Sequence, residues 1–139
     1  MAAPRKYKLD DFEVTPFTTL AVTSSEKDYK LCHRLNKALK INFKREGKLF
    51  FHSAGIKRIE ISCFRYADEE MRTTLHLSRN RQESFFLLPK FKNADFIICV
   101  HEEGTTSLIE ELKSSLAHLP NIQSTFVLPK EITKNISFE

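Results

Sequence analysis

Glycine is scarce: the 139 residues hold three, Gly47, Gly55 and Gly104, each standing alone. A glycine-rich loop that cradles a phosphate is therefore excluded. Tryptophan is missing, and no apolar run approaches the ~20 residues that a membrane-spanning helix needs. The segment MAAPRKYKLDDFEV lacks the apolar stretch of a signal peptide, so the cytoplasm is the expected compartment and no membrane is expected as a partner. Cysteine is too sparse and too widely spaced for a disulfide framework. Cys32, Cys63 and Cys99 are an odd number, each among apolar neighbours, which predicts reduced, buried thiols.

The usual chemical motifs are also missing. No C-x-x-C or H-E-x-x-H occurs, and the candidate ligands His52, Cys63, His76, Cys99 and His101 offer only the i, i+2 pair Cys99 and His101. A pair is not a four-ligand site, so no metal or cofactor is expected. Cys32 and His33 are adjacent, but successive helical residues point about 100° apart, which keeps the imidazole from the thiol. No catalytic residue is assigned, and a non-enzymatic role is expected. Nothing in the sequence calls for a deep pocket, so a small-molecule ligand is not expected either.

What the sequence does have is phenylalanine, twelve in all, and 41% hydrophobic residues, enough for an independent core. With no linker or repeat, the chain reads as a basic N-terminal segment over 1–10, a single domain over 11–129 and a C-terminal tail over 130–139. Charge is uneven. The net charge is +4, yet the stretch from Lys27 to Lys48 carries eight cations against Asp28 and Glu46, leaving the remainder slightly acidic.

The β-branched run Phe17 to Ser24 predicts a strand, and a helix follows, with Thr23 and Glu26 at capping-box spacing. Its apolar stripe is read as Tyr29, Leu31, Cys32, Leu35, Ala38 and Leu39. The opposite ridge carries Lys27, Lys30, Arg34 and Lys37, and Lys44, Arg45 and Lys48 continue the basic region beyond it. Ile41–Phe43 and Lys48–Ala54 read as short strands about a turn at Glu46-Gly47. Lys57–Tyr66 and Met71–Asn80 read as a hairpin turning at Ala67–Glu70, with Ile59, Ile61 and Cys63 sharing a face with Met71, Thr73, Leu75 and Leu77. In that register Phe64 and Tyr66 lie on an open sheet face.

Two unbroken apolar runs, Ser84–Pro89 and Asp95–Val100, read as central strands covered on both faces. Pro89 ends the first and suits a single-turn helical connection; the Asp95 carboxylate is placed to accept backbone N–H groups where the chain re-enters the sheet. A second helix follows, with Ser107 and Glu110 at capping-box spacing and Leu108, Leu112, Leu116 and Leu119 on one face, stopped by Pro120. Ser124–Pro129 reads as the last strand and the tail as an edge or a frayed end. The fold class expected is α+β: a two-layer domain, mostly antiparallel, with both helices on one face of the sheet.

At Leu88-Pro89-Lys90, three intervening residues, then Ala94-Asp95-Phe96, the chain resembles a bacterial family of uncharacterised proteins known by its I-P-E-x-x-x-V-D-Y motif. Pro89 and Asp95 match, Leu88, Ala94 and Phe96 are conservative, and Lys90 stands where the family has glutamate. The segment SSEKDYKLCHRLNKAL is similar to that family's N-terminal helix. The resemblance implies a small cytoplasmic bacterial domain, with structural roles for Leu88, Pro89, Asp95 and Phe96, and no activity.

The functional expectation is a non-enzymatic interaction module, binding a protein partner or a second copy of itself through the basic helix ridge and the aromatic sheet face. The alternative is an accessory RNA-binding protein, with the basic region on phosphates and Tyr7, Phe50 or Phe51 stacked on bases.

Overall fold

In the computed structural model, residues 17–52, 58–82, 85–102, 108–129 and 136–138 are described. The β-branched run forms β1 (Thr18–Ser24) and leads into α1 (Asp28–Leu39). There follow β2 (Lys44–His52), β3 (Arg58–Asp68), β4 (Thr73–Arg79), a 3-10 turn (Pro89–Phe91), β5 (Phe96–Glu102), α2 (Leu108–Ala117), β6 (Ile122–Leu128) and β7 (Ile136–Phe138). The strands form one sheet in the order β6-β1-β5-β4-β3-β2-β7, with antiparallel neighbours throughout. The class is α+β, and the sheet curls into a half-barrel. No helix among the described residues is long and apolar enough to cross a membrane.

Alternation along the strands builds two cores. On one face Leu20, Val22, Phe64, Leu75, Leu77, Phe96, Ile98 and Val100 pack against Leu31, Cys32 and Leu35 of α1 and Leu112 and Leu116 of α2. On the other, Ala21, Leu49, Ile61, Cys63, Ile97 and Cys99 meet Leu87, Leu88, Ala94, Leu128 and Ile136. β5 serves both cores. Phe96 to Val100 are all buried, as an unbroken apolar strand requires.

The apolar run before Pro89 is not a strand. Phe86 makes one isolated bridge to Arg81, after which the chain crosses the second face and buries Leu87 and Leu88 against it. Its backbone is satisfied by Asn80, whose amide donates to the carbonyls of Phe91 and Ala94 and accepts from the N–H of Leu88. Burial from both sides produces the same apolar run whether a segment lies in a sheet or across it. Pro89 does open a single helical turn. The Asp95 carboxylate accepts a backbone N–H, but from Ser24 at the end of β1 rather than from the connection itself.

Three local expectations also change. Glu46-Gly47 is a bulge within one strand: β2 advances from Lys44 to Gly47 while β3 advances only from Arg65 to Cys63. Ile41–Phe43 therefore precedes β2 without forming a strand; Phe43 is buried and its N–H and C=O are held by the Asn36 side chain. The hairpin pairs Asp68 with Thr73, so Phe64 opposes Leu77 and Tyr66 opposes Leu75. The expected faces are thereby exchanged, the consequence of a one-residue shift in register. Phe64 and Tyr66 lie in or against the helix-covered core, and the other sheet face is covered by the Leu87–Ala94 connection.

At the start of α1, Lys27 is the N-cap and no side chain caps it. Thr23 donates instead to the carbonyl of Asn93, while Ser24 Oγ accepts the N–H of Glu26. Ser107 lies outside the described residues, as do 1–16 and 130–135. The Glu102 carboxylate accepts the N–H groups of Leu108 and Ile109 in the first turn of α2. Within the expected tail, Ile136–Phe138 pairs with β2 as an edge strand.

Candidate functional site

The sequence-predicted basic residues occupy α1 and β2, and the structure divides them by what holds them. Arg34 Nε lies 2.8 Å from Glu26 Oε2, which also accepts from Asn121 Nδ2 at 3.3 Å. These contacts, Asn121 first, hold the Glu26 carboxyl below the usual range despite some desolvation. Arg45 Nη2 lies 2.8 Å from Asp28 Oδ2, tying β2 to the first turn of α1, and its guanidinium covers the Phe64 ring at 4.3 Å. Lys48 pairs with Glu60 at 3.4 Å. Lys27, Lys30, Lys37 and Lys44 are exposed, and no ion pair joins them among the described residues.

Tyr29 departs from the expected apolar stripe. It is 49% exposed, one helical turn before exposed His33 on the solvent side of α1. The aromatics expected to stack on bases are not presented for that purpose: Phe50 is buried and Phe51 stacks on Phe85 at 5.3 Å. Tyr7 lies outside the described residues.

A second constellation, which sequence spacing did not bring together, lies at one mouth of the half-barrel. Pairing sets Arg65 on β3 opposite His76 on β4, and Thr74 on β4 opposite His101 on β5. Phe138 reaches over both imidazoles, 4.3 Å from His76 and 4.7 Å from His101 between ring centroids, and Phe17 closes on His101 at 5.0 Å. Arg65, Thr74, His76, His101 and Phe138, together with Glu46 and Gly47, line a cleft of about 650 Å³. His76 is 5% exposed, and neither its Nδ1 nor His101 Nε2 has a hydrogen-bond partner among the described residues. Burial pushes the His76 imidazole down to about 3, with His101 and Arg65 adding to the effect, and burial takes His101 to about 4. Both rings are neutral at neutral pH.

The remaining candidates do not converge. No group of three or more metal-binding side chains occurs among the described residues, and the His52 side chain is outside them. Cys32 is raised to about 11 and Cys99 to about 12 by burial, which leaves both as protonated, unreactive thiols. Compared with known proteins, the chain matches no family model, no curated protein and no solved structure.

Proposed function

We propose that the chain is a non-enzymatic cytoplasmic binding module that docks an acidic protein surface on the solvent face of α1. The observation that carries this reading is the division of cations. The guanidinium forks of Arg34 and Arg45, which would grip phosphate oxygens two at a time, are engaged by Glu26 and Asp28. The lysines around Tyr29 are left as exposed point charges. Such charges steer an acidic partner, and a tyrosine among them supplies apolar contact at low entropic cost. RNA is the weaker reading, because with Phe50 buried and Phe51 stacked on Phe85 the ridge presents a single exposed tyrosine or phenylalanine among the described residues, Tyr29, where successive bases call for successive aromatics. The resemblance at Leu88–Phe96 agrees with a small bacterial domain of this kind.

The test is retention of an identified partner by the tagged protein from nuclease-treated lysate, repeated with Lys30→Glu/Lys37→Glu and with Tyr29→Ala. The expected partner is acidic, released by rising salt, and lost in both variants. Retained material that nuclease removes would favour RNA, and retention unchanged by the charge reversal would overturn the reading.

A further inference from the structure

The inside of the half-barrel turns from apolar to polar along β3 and β5, and β4 between them is polar throughout. On β3 the inward positions run Ile61, Cys63, Arg65; on β5 they run Ile97, Cys99, His101; on β4 they run Ser78, His76, Thr74. Because neighbouring strands are antiparallel, these polar ends fall at the same end of the barrel. One mouth is filled by Leu87 and Leu88; the other is left polar and concave. Barrel mouths of this kind, with an apolar floor and a few converging polar groups, are where small ligands bind.

We propose that this mouth binds a small organic carboxylate, with Arg65 as the anchoring cation, His76 and His101 as neutral hydrogen-bonding walls and Phe138 as the apolar contact. Several independent observations meet here. Arg65 is half-buried, and no ion pair or side-chain hydrogen bond occupies it among the described residues. A guanidinium in that state matches a carboxylate in shape and charge. Two imidazole nitrogens, His76 Nδ1 and His101 Nε2, are buried without partners among the described residues, an arrangement that a polar ligand atom would complete. The bulge in β2 supplies the rim. Gly47 lies so close that a Cβ there would come within 2.7 Å of Arg65 Cβ, and Glu46 stands beside it. A carboxylate fits better than a phosphate, since the added negative charge of a phosphate would face Glu46, and Arg65 is the one cation lining the cleft among the described residues. This site is separate from the α1 surface and stands whether or not that surface binds a protein.

The experiment uses the whole chain, with benzoate as the probe and benzamide as its uncharged counterpart of the same shape. Imidazole signals are followed by NMR during titration, and affinities are measured by calorimetry. Benzoate is expected to shift His76 and His101 saturably while leaving exposed His33 and His118 in place. Benzamide should not saturate, and inorganic phosphate should bind more weakly than benzoate. Arg65→Met should weaken benzoate binding about tenfold or more, the loss corresponding to one charge-assisted hydrogen bond. Equal behaviour of benzoate and benzamide, shifts that never saturate, phosphate binding more tightly than benzoate, or an Arg65→Met protein that binds like the parent would each overturn the proposal. Should Arg65→Met fail to fold, the comparison of the two probes in the parent protein still decides the matter.

Discussion

The amide oxygen of Asn80 accepts the backbone N–H of Leu88 at 2.8 Å, so that a residue just past β4 holds the segment crossing the second sheet face. The same side chain donates to the carbonyls of Phe91 at 3.0 Å and Ala94 at 2.9 Å, and Asn80 is fully buried. Its own N–H donates to the carbonyl of Asp95, and its carbonyl accepts the N–H of Leu87. Asn80 thus replaces the strand ladder that the Phe85–Leu88 segment does not form.

Asn80→Ala is therefore expected to destabilise the fold by about 3 kcal/mol, because three backbone groups lose their partner where little water can replace it. Asn80→Asp should be at least as harmful at neutral pH, since a carboxylate would face two carbonyls instead of donating to them. Urea unfolding reads both. A loss under about 1 kcal/mol for the alanine variant would show that the connection is held by Leu87 and Leu88 packing alone.

Gly47→Ala sets two effects against each other. Alanine restricts the unfolded chain, which stabilises by about 0.4–1 kcal/mol where the native conformation tolerates it. Here the new Cβ would come within 2.7 Å of Arg65 Cβ, an atom rooted to the backbone, and within 3.1 Å of Cys63 Sγ. Overpacking of that kind costs about 1–3 kcal/mol, so net destabilisation is expected, with the β2–β3 register disturbed at the bulge. Unchanged stability, and unchanged amide chemical shifts for Cys63 and Arg65, would contradict it.

How much of this was legible in the sequence depended on whether the signal was local. The Phe96–Val100 strand and the Leu31–Leu35 and Leu112–Leu116 stripes declared themselves, because burial on two faces and burial on one helical stripe leave distinct periods. Leu87 and Leu88 did not, since a segment laid across a sheet is as apolar as one within it. Tyr29 was misread because exposed aromatics obey no period. Gly47 read as a turn, and only the closeness of Arg65 explains it as a bulge. His76 and His101 meet through the pairing of β4 with β5, which no spacing along the chain encodes. The available signal was subtler: same-face positions turning from apolar to polar at the C-terminal ends of β3 and β5, on either side of a polar face of β4.

The pairing of β3 with β4 runs only from Phe64 to Asp68 on β3, whereas that with β2 covers Arg58 to Cys63 and, past the bulge, Arg65. Beyond Phe64 the strands part, and Ile59, Glu60, Ile61, Ser62 and Cys63 face Ser78, Arg79 and Gln82 across a cleft of about 470 Å³. Peptides covering Ile59–Cys63 are expected to exchange amide hydrogens faster than those covering Phe96–Val100, because the former carry ladder bonds to β2 alone and the latter to both β1 and β4. Hydrogen-exchange mass spectrometry measures this directly, and equal protection of the two segments would mean that the gap beside β3 is closed in solution.

The two mouth histidines also give the fold a pH dependence of defined sign. Free imidazole takes up a proton near 6.5, whereas burial holds His76 near 3 and His101 near 4 in the folded protein. Above about pH 6.5 neither ring is protonated in either state, and this source of stability is fully present. As pH falls below that value the unfolded chain binds two protons that the fold refuses, so stability declines down to about pH 4. By pH 5 the loss is at most about 2 kcal/mol for each histidine. Glu102, raised by desolvation, acts in the opposite sense, since protonation relieves its burial as pH falls. Urea midpoints between about pH 7.5 and about pH 5 should therefore drop steeply in the parent protein. In His76→Gln/His101→Gln the drop should be shallower whatever the absolute stability of that variant, because glutamine does not titrate. Parallel declines in the two proteins would place the acid sensitivity elsewhere and show that the imidazoles reach water.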